Sequence, residues 1–404
     1  MFSRSFSWQF LLSEVCHCLQ RGDGRTEKLI QLKKLSIIFV NPNDLQIFKE
    51  VELPQDLAKC GLKSVRTDGA EQEAAGVDDA STGKKAKING QQERPIIQHV
   101  ALAPNHQLLA VTTSGQKALL LYRCRPEHAK LLSVRPLARA SSALAFGSDS
   151  KRLLVTDKTG DCYQYDCEEV EAAPKLLLGH LSIVYDVLWT ADMKYIITCD
   201  RDDKIRVSNY PATHDIHGYC LGHKEFVSGL ALLRNNVLVS LSGDKTLRLW
   251  NYMSGKELTR MELPAPGIHL TVSDSQDEGK CRVAVLLYQP NECVAIYEIT
   301  QLGEAESESW KITEIELQSY SNMIVSNLCF VQERLCIAGS ENERFTLKMT
   351  PDTQVPKNWL AMVEEQFKDT AFQPEDVSAW FKKRYDNVSD YLERKKRRIE
   401  DQQK

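Results

Sequence analysis

The chain has 404 residues, 42% of them apolar and 26% charged, with 20 glycines and 14 prolines; this is the make-up of a folded globular protein and excludes wholesale disorder. A formal net charge of -4 excludes a surface that coats nucleic acid all over and leaves room only for a local basic patch. The 12 cysteines are scattered rather than set at the short spacings of a disulfide-stapled module, so reduced, mostly buried thiols in an intracellular protein are expected.

Residues 1–33 read as an atypical or flexible leader. Phe6 to Leu12 is apolar but short, interrupted by Gln9 and followed by Glu14, so it cannot span a bilayer and lacks the cleavage region of a signal peptide. Cys16, His17 and Cys18 are adjacent and have no second ligand pair nearby, which is not zinc spacing. Two runs, Phe10-Leu11-Leu12 and Leu29-Ile30-Gln31-Leu32, are candidates for a strand that completes the last sheet of a ring. Leu35-Ser36-Ile37-Ile38-Phe39 and Leu45-Gln46-Ile47-Phe48 then resemble inner strands. Residues 61–94 are dominated by Gly, Ala, Asp, Glu, Gln and Lys and read as a disordered insertion. Its Lys84, Lys85 and Lys87 are open to three readings: a solvated charge run, a weak import signal or a phosphate-contacting arm.

Short apolar runs separated by turn signals follow: Ala101 to Ala103, Leu108 to Val111 and Ala118 to Tyr122, then Ala143 to Phe146, Leu153 to Thr156 and Cys162 to Tyr165. Runs of about four to six residues are strand length and too short for ordinary helices. Two later segments set a period. His180 leads to Thr198, Asp202 and Ser208, and His223 leads to Ser240, Asp244 and Trp250; the histidines are 43 residues apart and the aspartates 42. That is the length of a four-stranded propeller blade. In the second segment Asp244 can accept from the ring of His223, which engages Ser240, which meets the indole N–H of Trp250. The first segment ends in Ser208 instead of an indole, so weaker fastening is expected there.

Taking the end of the third strand as a marker, Tyr122, Tyr165, Ser208, Trp250 and Tyr297 follow at intervals of 43, 43, 42 and 47 residues. With Leu335 to Ala338 and Phe345 to Leu347 as a last unit, the expected fold is all-β: a seven-bladed WD-type β-propeller over residues 34–355, closed into a ring because no blade buries both of its faces alone.

The strand pattern stops near Pro356, and residues 356–404 form an expected helical and basic carboxyl extension. Trp359 to Glu365 and the stretch opened by Glu375-Asp376-Val377 are helix candidates. Asp386-Asn387 can cap a further helix that gathers Val388, Tyr391 and Leu392 on one side, a face that packs on the ring or on another protein. Arg394, Lys395, Lys396, Arg397 and Arg398 beyond it suit RNA phosphate, a solvated helix end or an import signal.

For a binding partner, the charged stretch Arg201-Asp202-Asp203-Lys204-Ile205-Arg206 stands out. With Asp202 assigned to the histidine, Asp203 is the freer acceptor, and Arg201, Lys204 and Arg206 can meet carboxylates on a partner at the rim. A solvated turn is the plain alternative. Arg21-Gly22-Asp23-Gly24 is not a dinucleotide fingerprint, and Asp166, Asp200 and Asp202 are too dispersed to argue a cation site. No catalytic, cofactor-binding or metal residue is expected, so the chain reads as a binding platform rather than an enzyme.

Leu178 to Ser182, Asp200 to Ser208, Leu221 to Ser228, Ser242 to Trp250 and the tail Tyr385 to Leu392 together resemble the WD-repeat, non-catalytic subunit of the eukaryotic tRNA (guanine-N7)-methyltransferase. The likeness runs from Lys34 to Arg398 and leaves out the leader, where family members begin with a different ring-completing strand. It implies a heterodimer with a separate Rossmann-like catalytic subunit, which uses S-adenosylmethionine to methylate N7 of a guanosine in the tRNA variable loop. It implies no cofactor in this chain, no membrane, and a nuclear location. By the same likeness, Asp202, Asp203 and Arg206 match the family's partner-binding surface, with Arg201 and Lys204 beside them. Val388, Tyr391 and Leu392 match a tail that contacts the partner, with Arg394 to Arg398 near tRNA. A general WD-repeat adaptor, in a ubiquitin-ligase or chromatin-associated complex, is the competing expectation.

Overall fold

The computed structural model describes residues 29–33, 36–40, 47–62, 94–124, 130–273, 279–302, 309–331, 334–342, 344–350, 377–382, 392–396 and 398. The architecture is an all-β propeller in which six antiparallel sheets follow one another along the chain, here blades I to VI: 96–136, 141–179, 184–220, 227–262, 267–318 and 323–350. Blades I to V are four-stranded meanders, and blade VI has the three strands Met323–Val331, Arg334–Glu341 and Arg344–Thr350. The 42- to 43-residue marker is therefore one blade. The longer step to Tyr297 belongs to blade V, whose last two strands, Val294–Leu302 and Ser309–Gln318, run to 9 and 10 residues.

The first strand of each blade packs beside the first strand of the next, from Ile96–Leu102 through Met323–Val331. Polar groups tie the joints as well: Ser141 Oγ donates to Thr112 Oγ1 (2.7 Å), and the Leu230 amide donates to Asp186 Oδ2 (2.8 Å). All six inner strands carry a register shift at the same place, bypassing Gln98, Ser142, Tyr185, Ser228, Ile268 and Ser326. An extra residue sharpens the local twist. The marker residues Tyr122, Ser208, Trp250 and Tyr297 likewise sit at a shift between third and fourth strands, whereas in blade II the shift falls at Cys162/Tyr163.

The apolar side chains of neighbouring blades merge into shared cores; that of blades III and IV holds Ile197, Val207, Phe226, Leu238 and Trp250, all nearly inaccessible. At about 25 cal/mol per Å² of apolar surface removed from water, such joints are the main source of stability. This explains why the sequence signal is a run of apolar residues rather than strict alternation: a blade is covered on both faces.

Upstream, Leu29–Lys33, Ser36–Val40 and Ile47–Glu52 form a three-stranded antiparallel sheet. The run Leu29 to Leu32, expected as a strand completing the last blade, pairs instead with Ser36–Val40. The 3-10 turn Leu57–Cys60 is capped by Asp56, whose side chain accepts from the Ala58 amide (3.0 Å), and ends in Gly61 at φ 99°, a left-handed conformation that favours glycine. The residues Cys16 to Cys18 and nearly all of the expected insertion lie outside the described residues. Of the carboxyl extension, a 3-10 turn at Val377–Trp380 and helical residues 392–396 are described. Among the described residues no helix is long and apolar enough to cross a membrane, and no group of three or more His, Cys, Asp or Glu is placed to hold a metal.

Candidate partner-binding face

The turns that join second to third strands and the connections between blades lie on one face of the propeller. In blade IV the network there runs in one direction. Trp250 Nε1 donates to Ser240 Oγ (2.8 Å), Ser240 lies 2.7 Å from His223 Nε2, and His223 Nδ1 lies 3.0 Å from Asp244 Oδ2. Burial holds the His223 pKa below its usual value, against the pull of Asp244. Burial would raise Asp244, but the bonds from His223, Thr246 and the Lys224 amide outweigh it and set its pKa well below the ordinary carboxylate range. A neutral ring donating through Nδ1 satisfies both directions.

Blade III departs from the expected pattern in two ways. The carboxylate that meets His180 is Asp200, not Asp202: His180 Nδ1 lies 3.0 Å from Asp200 Oδ2 and Nε2 lies 2.8 Å from Thr198 Oγ1. By strand register Asp202 does align with Asp244, and Asp200 aligns with Ser242. Ser242 Oγ accepts the Asp244 amide (3.1 Å), leaving Asp244 to reach the histidine. Asp200 does both jobs at once, taking the Asp202 and Lys204 amides on Oδ1 (2.9 and 3.0 Å) and His180 on Oδ2. Asp157 closes the blade II turn in the same way, accepting from the amides of Thr159 and Asp161.

Second, Arg206 does not project outward as a free cation. Its Nε donates to Ser208 Oγ (2.9 Å), Nη1 to the Gly179 carbonyl (3.1 Å) and Nη2 to the Thr213 carbonyl (3.2 Å). The guanidinium thus reaches the serine that replaces the indole and ties the blade to its neighbouring connection. Arg248, its counterpart beside Trp250, turns to Thr246 Oγ1 and to Glu257 (2.6 Å) instead.

The remaining charges of this turn are divided. Arg201 Nε donates to the Trp380 carbonyl (3.3 Å), and Asp203, expected to be the freer acceptor, pairs with Lys382 Nζ. Lys204 is exposed and Asp202 half-buried. The Lys382 amide donates to Glu225 Oε2 (3.1 Å), while Trp380 stacks on Tyr185 (4.6 Å between ring centroids) and meets Phe226 edge-on (5.3 Å). Tyr185 is the residue bypassed by the register shift in blade III, which is what brings its ring to the tail. Gly243 leaves room for this cluster: a Cβ there would lie 2.4 Å from Phe226 Cε1.

Sequence reasoning singled out Arg201 and Asp203 but missed the groups they meet, Trp380 and Lys382, which are 179 residues away in the chain. The aromatic pair Trp380-Phe381, followed at once by Lys382, was the available signal. Farther on, Leu392 is 56% exposed, and Arg394, Lys395, Lys396 and Arg398 are exposed on the helical stretch. Val388, Tyr391 and Arg397 lie outside the described residues.

Six linked sheets, a histidine network of this kind and a face that presents charged turns define a WD-type propeller. The model of the tRNA methyltransferase TRM82 WD40 domain matches residues 54–173 and 165–371. The chain is 56% identical over 377 residues to the tRNA (guanine-N(7)-)-methyltransferase non-catalytic subunit wuho of Drosophila mojavensis, an alignment covering 91% of this chain and 94% of that protein. It is 52% identical over 403 residues to the subunit of the same name from Drosophila melanogaster, at the same coverage. Among solved structures, a chain of the mitotic checkpoint complex superposes with a TM-score of 0.56 at 12% identity, covering 80% of this chain and 83% of that one, a likeness of fold alone. The chain belongs to the family of non-catalytic, WD-repeat subunits of tRNA (guanine-N7)-methyltransferases.

Proposed function

We propose that this chain is the non-catalytic scaffold of a heterodimer that forms N7-methylguanosine in the tRNA variable loop, holding and stabilising a methyltransferase and positioning it with tRNA. The observation that carries this reading is the 50–56% identity, over 91% of the chain, to proteins each named as such a non-catalytic subunit. In this reading S-adenosylmethionine and the reacting groups belong to the catalytic partner. The scaffold supplies placement, which can change a rate by orders of magnitude without donating any reacting group.

The partner-binding surface in this reading centres on the blade III turn. Lys204 and Asp202 contact the partner directly. Arg201 and Asp203 act by fastening Trp380 and Lys382, so that the tail with Val388, Tyr391 and Leu392 leaves the propeller from a fixed point, and Arg394 to Arg398 extend toward RNA. Arg206 is a positioning residue that stiffens the turn. The amino-terminal sheet is the seventh blade: Leu53, Leu57 and Val51 pack with blade I and with Cys329 of blade VI, the two sheets a closing blade must join. A nuclear site of action goes with the basic tail.

Reconstitution tests this. The purified chain alone should transfer no methyl group, and addition of a catalytic subunit should give a one-to-one complex that methylates tRNA at guanine N7. Failure to coelute with that subunit at low salt would overturn the reading.

A further inference from the structure

We propose that the partner-binding face carries a separate RNA-binding patch at the join of blades I and II, formed by Lys117, Arg139 and Lys158 with an adjoining cavity that accepts a base. This rests on the reading of the chain as an RNA-associated scaffold and assigns to it contacts away from the basic tail.

The three cations come from three different segments that the backbone locks together. The Leu137 amide donates to the Lys117 carbonyl (3.0 Å), and the Lys158 amide donates to the Ala140 carbonyl (3.0 Å), which sets Arg139 between the two lysines. All three side chains are exposed. The nearby carboxylates are engaged: Asp157 closes its own turn, and Asp161 Oδ2 accepts from the Tyr163 hydroxyl (3.4 Å). These bonds leave the carboxylate charges in place, so Lys117, Arg135, Arg139 and Lys158 stand against Asp157, Asp161 and Glu171, a small positive excess on a chain of net charge -4, and a local positive excess is what draws a polyanion to one place.

A cavity of about 380 Å³ opens beside it, lined by Arg135, Arg139, Tyr163, Tyr165 and Val170 among others. Arg135 is only 7% exposed, its guanidinium carbon lies 4.9 Å from the centre of the Tyr165 ring, and Nη1 donates to the Asp166 carbonyl (2.7 Å). Its Nε and Nη2 are inaccessible to solvent, and the guanidinium lies against the Cys167 thiol, so Arg135 stiffens the cavity wall. The half-buried Tyr163 ring on the cavity wall suits stacking of a planar base, while the exposed cations suit phosphate. An acidic protein segment would use the cations and leave the cavity without purpose, so RNA is the favoured occupant.

The test uses the full chain in complex with its catalytic subunit and a tRNA transcript, titrated at several salt concentrations. The triple variant Lys117→Gln, Arg139→Gln, Lys158→Gln should leave coelution with the catalytic subunit unchanged. It should reduce the steepness of log affinity against log salt by about 2 to 3, since each phosphate that a cation neutralises adds roughly 0.7 to 0.9 to that slope. Tyr163→Leu should weaken binding about tenfold with no change in that slope. A control that removes three cations from the opposite face, Lys151→Gln, Lys194→Gln and Lys280→Gln, all ion-paired there, should change neither quantity. If the unmodified complex binds tRNA and the triple variant binds identically, the patch is not an RNA site. Loss of coelution in the triple variant would make it a protein interface and would equally overturn the proposal. If the unmodified complex does not bind tRNA at all, the functional reading itself fails.

Discussion

Replacing Arg206 by Gln should loosen blade III without unfolding the ring. The guanidinium makes three hydrogen bonds, to Ser208 Oγ and to the carbonyls of Gly179 and Thr213. The Gly179 bond is exposed, so water replaces it at little cost. The other two are partly buried, and losing hydrogen bonds to a charged donor costs about 1.5 kcal/mol each at the low end suited to such sites, or about 3 kcal/mol together. Since about 1.4 kcal/mol is a factor of ten, local opening should become roughly 100-fold more frequent. Because a ring of blades need not unfold in one step, the measurement is hydrogen exchange resolved by strand rather than a global melt. Amides of Ile205–Asn209 and Ile216–Cys220 should exchange faster by that factor, while Thr246–Asn251 in blade IV stays protected. Unchanged protection in blade III would refute the assignment of Arg206 as its fastener. It would also return Arg206 to the partner as an ordinary surface cation, in which case the variant should lose association with fully native exchange.

In blade IV, Trp250→Phe removes the donor to Ser240 and part of a buried ring, and should destabilise that blade by about 2 kcal/mol, read as faster exchange in Val237–Ser242. The pH dependence follows from the same network: His223 has its pKa lowered on folding, so stability should begin to fall as pH drops below the unfolded histidine value near 6.5 and level off below the folded value. Asp200 and Asp244, with depressed pKa values, contribute stability that is present above about pH 4 and lost on further acidification. In acid titrations followed by tryptophan fluorescence, His223→Gln should remove the first of these phases and diminish the second, leaving the share of Asp200, which is held by His180. Trp380→Ala should free the tail, abolishing amide protection of Lys382 while leaving blade exchange intact, whereas Gly243→Ala, by displacing the buried Phe226, should lower protection at Lys382 and in blades III and IV together; if protection at Lys382 survives both changes, the aromatic cluster does not hold the tail.

Much of this molecule was legible because a propeller repeats a local rule. Strand length, apolar runs, the 42- to 43-residue step and the order His223, Ser240, Asp244, Trp250 are all properties of short windows of sequence. Each reports contacts made within one blade or to the next. The misreading at Asp202 arose because alignment by position equates residues, whereas a carboxylate is defined by where its two oxygens reach. Asp200, at the end of its strand, commands both the turn and the ring.

The sequence by itself determined the strands of the six blades, their period and the histidine fastening of blade IV, since these depend on residues a few tens of positions apart. Only the tertiary structure decided that Arg206 turns inward to a serine where the next blade has an indole, and that Arg201, Asp203 and Glu225 hold a segment 157 to 179 residues downstream. The physical reason is that an exposed charge carries no record in the sequence of which distant group the closed fold will set beside it, whereas a buried apolar strand must be covered wherever it lies.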